Sequence, residues 1–143
     1  MNILITGSNG SLGQELTKEL IKQNNTIYTT SRHKALPHEK NHITIDLLED
    51  NAVSKIKEDL NSKPIDILIN NAAYFCKKSY SEVSEKDIEQ SFKVNFKIPF
   101  LLIQHLTENL KLSENPQIIN IGSLSGQQGA TKYTGLSIYG ATK

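Results

Sequence analysis

Three side chains near the end of the chain are spaced to handle a proton: Ser123, Tyr139 and Lys143. Tyr139 and Lys143 stand four apart in YGATK, which on a helix puts both on one face. A free phenol ionises near ~10, too high for acid–base work at neutral pH without help. A lysine cation one turn away favours the phenolate. Ser123, in IGSLSG, adds a hydroxyl that can hydrogen-bond an oxygen on which charge develops. Ser125 is a lesser candidate for the same task. Tyr-x-x-x-Lys by itself means little, because Tyr74 and Lys78 form a second copy with no serine on a preceding strand. That copy reads as chance, its loop side chains facing solvent or a cleft.

A second group sits at the other end of the chain. Gly7, Gly10 and Gly13 are three apart in TGSNGSLG, with Ser8, Asn9, Ser11 and Leu12 between them. Glycines between a strand and a helix permit a tight turn. They also let backbone amides approach a phosphate at the positive helix N-terminus, as in a dinucleotide site. Thr30-Ser31-Arg32 follows the second predicted strand, with no Asp or Glu among them. An acid there would hold a ribose 2′-hydroxyl, whereas an arginine accommodates a 2′-phosphate, so NADP(H) is favoured over NAD(H). The alternative is that Arg32 is a solvated loop residue.

The elements that must position these groups alternate. Asn2–Thr6, Thr26–Thr30, His42–Ile45, Asp66–Asn70 and Gln117–Ile121 read as strands. Helical spacing follows the first strand at Leu12, Leu16 and Leu20, and recurs between Leu48 and Leu60. Ser84 with Asp87 resembles a capping box and opens a segment running through Val94, Phe96 and Phe100 to Leu110. Pro99 lies inside it. Having no N–H, Pro99 cannot pair with the Asn95 carbonyl, so a kink is expected there. The bland alternative is a fresh helix start with Pro99 in its first turn. Alternating strands and helices imply an α/β fold, a doubly wound parallel sheet with its ligand crevice at the carboxyl ends of the strands.

Composition bounds the rest. At 143 residues the chain forms one domain, and its net charge of +1 without a basic block gives no case for nucleic-acid binding. Cys76 is the only cysteine, so no disulfide framework or cysteine metal site is expected, and a reducing cytoplasm fits best. No apolar run approaches ~18 residues, so membrane spanning and secretion are unsupported. His33, His38, His42 and His105 show no ligand spacing, and no metal is assigned.

Together, TGSNGSLG, DILINNAA, KVNF, INIGSLSG and YGATK resemble, in order, the short-chain dehydrogenase/reductase family. The resemblance covers the whole chain, and implies a Rossmann-like fold of about five strands with the family's C-terminal part missing. It implies cofactor contacts from the glycine loop, from Ser31 and Arg32, from Asp46 and Leu47 near the adenine, and from Asn71, Ala72 and Ala73. Tyr139 and Lys143 would add contacts at the nicotinamide end. It also implies catalytic roles for Asn95, Ser123, Tyr139 and Lys143, with a water on the freed Asn95 carbonyl relaying protons to the lysine. Ala73 stands where the family has a glycine, a mild packing change. The Ser123–Tyr139 gap is longer than in the family's short branch, so a bulge around Gln127–Thr134 is expected.

The expected function is hydride transfer between NADP(H) and a small carbonyl/alcohol pair. A homo-oligomer is expected if the full family fold is present. The rival expectations are a nucleotide-binding or redox-sensing module without turnover, and an inactive fragment of a longer oxidoreductase. Lys143 is the last residue, one turn into its helix, where a free carboxylate can pair with the ammonium. The 143-residue chain is therefore expected to carry the catalytic residues and be a poor catalyst.

Overall fold

A computed structural model describes residues 1–143. Five strands, β1 (Asn2–Thr6), β2 (Thr26–Ser31), β3 (Asn41–Thr44), β4 (Ile67–Asn70) and β5 (Gln117–Asn120), form one sheet in the order β3-β2-β1-β4-β5. Every pairing is parallel. The chain leaves β1 in one direction for β2 and β3, then returns to its other side for β4. The carboxyl ends of β1 and β4 therefore flank a topological switch point, where such sheets bind ligands.

Helices cover both faces, which explains why β1 is apolar throughout rather than alternating. Ile3 and Ile5 join Ile27 and Ile69 on the face packed by α1 (Ser11–Lys22) through Leu16, Leu20 and Ile21. Leu4 and Leu68 point to the opposite face, where α2 (Ala52–Leu60) contributes Val53, Ile56 and Leu60. The fully buried among them, Ile3, Leu4, Ile5, Ile56, Leu60 and Leu68, each contribute roughly 1.5–3 kcal/mol. Leu12 is not part of the buried stripe: it is about half exposed at the start of α1, where Gly13 and Thr17 are buried instead.

Several boundaries move by a few residues for local reasons. β2 runs on to Ser31, so Arg32 is the first residue past the strand. β3 spans Asn41–Thr44, although Ile45 still donates its N–H to the Ser31 carbonyl at 2.8 Å. α2 begins at Ala52 rather than Leu48 because the Leu48 amide donates to Asp46 Oδ1 at 2.9 Å, a local turn that competes with helix. β5 stops at Asn120, with Ile121 N–H still donating to the Asn70 carbonyl. All four β5 residues are exposed.

The segment opened by Ser84 is one continuous rod with a widened turn. α3 (Glu85–Phe92) passes through a π turn (Lys93–Lys97) into α4 (Ile98–His105), and the joining residues Phe92, Lys93, Lys97 and Ile98 all keep right-handed helical dihedrals. The Ile98 amide reaches back five residues to the Lys93 carbonyl. The distortion falls around Asn95, just before Pro99, as the missing proline N–H requires. A short α5 (Thr107–Lys111) follows, and α6 (Ser137–Thr142) comes after β5. Val94, Ile98, Leu102, Leu106 and Leu110, four apart, are buried against the sheet, whereas Phe92, Phe96 and Phe100 are exposed. No helix is long and apolar enough to cross a membrane.

Asp87 anchors the start of α3. Ser84 donates to it from both N (2.9 Å) and Oγ (2.6 Å), and Lys78 Nζ reaches both its oxygens at 2.8 and 2.7 Å. The Lys78 ammonium first, then the Ser84 bonds, hold its carboxyl well below the usual carboxylate range. A depressed folded pKa means that this stabilisation is complete above the unfolded carboxylate pKa. It is lost as pH falls through the folded value. Asp87→Asn should therefore lower the Tm at pH 7, with the gap to the unmodified chain narrowing as pH drops below ~4; calorimetry across that range measures it.

Candidate functional site

A cleft of about 430 Å³ opens across the carboxyl ends of β1, β2 and β4. Its floor is the glycine loop. Gly7 adopts φ +70°, a left-handed conformation that glycine favours, and a Cβ there would lie 2.7 Å from Ala72 Cα. A Cβ on Gly13 would meet the Gly7 carbonyl oxygen at 2.3 Å, so no side chain fits between α1 and the loop. Gly10 differs. A Cβ there would meet only the Gly7 oxygen, at an ordinary 3.5 Å, leaving space on the cleft side.

The far wall is tied to this loop. Asn71 Nδ2 donates to the carbonyls of Thr6 and Gly7, both at 3.0 Å, while the amides of Asn71 and Ala72 donate to Thr6 Oγ1 at 3.1 Å. Asn70 Nδ2 donates to Asn120 Oδ1 at 2.8 Å, linking β4 to β5. On the β2 side the amides of Gly7 and Ser8 share the Thr30 carbonyl at 2.8 and 3.1 Å.

The cleft suits a dinucleotide. Gly10, the residue capping α1, offers no side-chain bond to the helix amides, and the first turn carries no acid, so the positive helix end faces the cleft uncompensated. Arg32 is exposed at the rim and belongs to none of the ion pairs. Asp46, Leu47 and Leu48, past β3, line the cleft on the same side as Arg32, and Ala72, Ala73 and Tyr74 line it past β4.

Of the cofactor residues expected from sequence, Gly7, Asn9, Gly10, Ser11, Leu12, Gly13, Ser31, Arg32, Asp46, Leu47, Asn71, Ala72 and Ala73 line this one cleft. Ser8 does not. Its side chain is fully buried beneath the loop. Thr30, His33, Ile45, Tyr74 and Val94 also line it. Thr30 and His33 flank the expected Ser31-Arg32 pair and Ile45 precedes Asp46, so adjacency was their available signal. Val94 comes from a distant helix and had none.

The residues expected from sequence to handle a proton stand outside that lining. Ser123 caps a short 3₁₀ turn (Leu124–Gly126), and its Oγ lies 2.8 Å from Ser125 Oγ and accepts from the Ser125 amide at 3.2 Å. The two candidate serines thus form one hydrogen-bonded pair. Two glycines press their turn onto α6: a Cβ on Gly140 would lie 2.7 Å from the Ser125 oxygen, and one on Gly126 would lie 3.0 Å from the Gly140 oxygen. Tyr139 packs edge-on against Phe75, ring centroids 5.0 Å apart. Lys143 follows the last helical residue and lines a second cavity with Asn95, Phe96 and Thr142. Burial pushes its ammonium below the usual lysine range. Lys143 belongs to none of the ion pairs.

Asn95 is the tie between the two halves. Its Oδ1 accepts from the Tyr74 amide at 2.7 Å, and its Nδ2 donates to the Tyr74 carbonyl (3.1 Å) and to Thr142 Oγ1 (2.9 Å). The π turn thereby holds the end of the NNAA segment and the residue next to Lys143 together. Thr142 was not among the expected residues. Tyr74 and Lys78 share no helix; Lys78 is taken by Asp87. Residues 127–136 form a loop, mostly exposed, where the bulge was expected, with left-handed glycines at Gly129 and Gly135.

The glycines separate two effects that experiment can resolve. Gly13→Ala should cost about 1–3 kcal/mol of stability by overpacking, read from urea denaturation. Gly10→Ala should unfold close to the unmodified chain yet bind a dinucleotide more weakly, read by titration calorimetry.

The chain matches the short chain dehydrogenase family over residues 1–143. It is 29% identical over 131 residues to a probable short-chain type dehydrogenase/reductase of Helicobacter pylori, covering 87% of this chain and 48% of that protein. It is 29% identical over 140 residues to a 3-oxoacyl-[acyl-carrier-protein] reductase of Aquifex aeolicus, covering 88% of this chain and 56% of the relative. The chain thus spans about half the length of these relatives. A short-chain dehydrogenase structure from Streptomyces avermitilis superimposes with a TM-score of 0.86 at 22% identity, over 99% of this chain and 55% of that one. With its parallel five-stranded sheet, its glycine loop at the switch point and this match along its full length, the chain belongs to the short-chain dehydrogenase/reductase family, whose members bind NAD(H) or NADP(H).

Proposed function

We propose that residues 1–143 act as one cofactor-binding and proton-transferring domain of an NADP(H)-dependent oxidoreductase acting on a small carbonyl/alcohol pair. One observation carries this reading: a single cleft at the sheet's carboxyl edge is lined by both the uncompensated N-terminus of α1 and Arg32. The helix end would hold the pyrophosphate, Arg32 a 2′-phosphate, and Asp46 with Leu47 the adenine. The buried, unpaired Cys76 suits a reducing compartment, and a cytoplasmic location is part of the reading.

When bound, the nicotinamide cofactor supplies the hydride for carbonyl reduction. Tyr139 holds the proton that the substrate oxygen takes up as its carbon gains that hydride, leaving an alcohol and a phenolate. Ser123 donates a hydrogen bond to the same oxygen as charge develops, and Ser125, 2.8 Å away, orients that hydroxyl. Lys143 favours the phenolate and holds the nicotinamide ribose. The Asn95 side chain is engaged in holding Tyr74 and Thr142, and its backbone carbonyl, which Pro99 cannot serve as the usual i+4 donor, would be the seat for a proton-relay water.

A second reading keeps the binding and drops the turnover. Ser123 and Tyr139 do not line the cofactor cleft, and Lys143 lines a different cavity, so a nucleotide-binding module without catalysis also fits. Tyr139→Phe separates the two. Reduction of a 3-oxoacyl thioester, the class named for the Aquifex relative, should fall by ~10²–10⁴-fold while NADP(H) affinity stays within about twofold. Binding without reduction in the unmodified chain would favour the second reading. For the cofactor itself, NADP⁺ should raise the Tm more than NAD⁺ at equal concentration, and Arg32→Ala should narrow that gap; a larger shift with NAD⁺ overturns the preference.

A further inference from the structure

Arg32 reaches the cleft from a nine-residue connection, residues 32–40, that contains no helix or strand. Two buried side chains hold this connection in place. His42, on β3, has a side chain only 3% exposed, and that of Glu39 is fully buried. His42 Nε2 lies 2.9 Å from the His33 carbonyl. A carbonyl only accepts, so Nε2 carries the hydrogen of that bond. Ser31 Oγ donates to the same carbonyl at 3.0 Å and accepts from the His33 amide at 3.2 Å. Three residues on, the Leu36 amide donates to Glu39 Oε2 at 2.7 Å. The histidine and the carboxylate therefore pin the backbone immediately after Arg32 at two points.

They are also close to each other and tied to the neighbouring strand β2. His42 Nδ1 faces Thr29 Oγ1 at 2.8 Å and Glu39 Oε2 at 3.4 Å. Burial opposes charge on Glu39. The Leu36 amide, which donates to it, outweighs burial together with the nearby Ser8, Thr29 and His42 side chains, and the carboxyl is held below its usual range. Ser8 belongs to the glycine loop. Its Oγ and Glu39 Oε1 are both buried and fall outside hydrogen-bond geometry. One buried carboxylate thus lies between the phosphate-binding loop and the connection that carries Arg32. Such an internal polar cluster is costly to bury, and most of its groups are satisfied by loop backbone rather than by the sheet.

We infer that Glu39 and His42 are positioning residues for cofactor choice: they fix Arg32 relative to the glycine loop, and so set how well a phosphate on the ribose 2′-position is held. The inference rests on the NADP(H) reading. A guanidinium–phosphate bond is directional, so a loosened loop weakens it while leaving contacts to the pyrophosphate and adenine in place.

The test measures NADP⁺ and NAD⁺ affinities by titration calorimetry on the full chain. Unfolding midpoints are recorded for every variant. His42→Ala and Glu39→Ala should each weaken NADP⁺ about tenfold and NAD⁺ less than twofold. His42→Gln should restore most of the loss, because its amide can donate to the His33 carbonyl, and Glu39→Gln should do so by accepting from Leu36. Arg32→Ala serves as the reference. Should Arg32→Ala leave the NADP⁺/NAD⁺ ratio unchanged, the cofactor reading falls and this inference with it. A ratio that collapses in Arg32→Ala but holds in both alanine variants overturns the inference alone. Equal losses of both dinucleotides, unrelieved by the glutamine variants, make the pair merely structural and overturn it too. If an alanine variant does not fold, the glutamine variants carry the comparison: a selective loss of NADP⁺ in either, smaller than in Arg32→Ala, supports the inference, and an unchanged ratio in both rejects it.

Discussion

The backbone of Gly7 is the point on which the rest of the molecule depends. It is closed in on one side by Gly13 of α1 and on the other by Ala72 past β4, with no room for a side chain at either glycine. Asn71 completes the junction by donating one amide group to two successive carbonyls of the turn. The glycine turn, the start of α1 and the sequence-distant segment past β4 therefore meet at van der Waals limits. That close approach brings the N-terminus of α1 to the switch point of the sheet, where its free amides can face an anion.

A comparable junction places Ser123, Tyr139 and Lys143. The serine turn and α6 approach closely enough that both facing positions must be glycine, Gly126 and Gly140. Asn95 reaches across from the π turn to bond Tyr74 and Thr142 at once. The widened turn is no defect in this setting. An α-helix demands that residue 99 donate to residue 95, and a proline cannot; the extra residue per turn absorbs the mismatch and keeps the rod continuous into α4. One asparagine side chain thus ties the segment past β4, which lines the cleft, to the end of α6, and Ala72 lines both cavities.

Much of this was readable from residue order. β1 matched its expected bounds because an apolar run beside a glycine loop leaves few options, and the Ser84–Asp87 capping box marked the start of α3. The parallel sheet with helices on both faces followed from the alternation of strands and helices; its order, with β1 central, is a property of the tertiary structure. The misplaced boundaries were local contests. Asp46 captured the Leu48 amide and delayed α2, while Leu12, spaced like a core residue, lies exposed at the cleft because glycine is required at the buried position beside it. The stripe at Phe92, Phe96 and Phe100 has the same spacing as the buried one at Val94, Ile98 and Leu102, and periodicity cannot tell which faces a sheet.

The sequence by itself determined the fold class, the glycine loop, and which residues are chemically able to serve a dinucleotide and a proton, because those depend on residue type and spacing along one element. Only the tertiary structure decided what lies opposite what. Ser8 turned inward and is buried, Val94 arrived at the cleft from a distant helix, and His42, unremarkable as a histidine in a short strand, reaches the His33 carbonyl in the Arg32 connection. These are contacts between segments tens of residues apart, or across a sheet register, and no local pattern encodes them; packing both faces of one parallel sheet does.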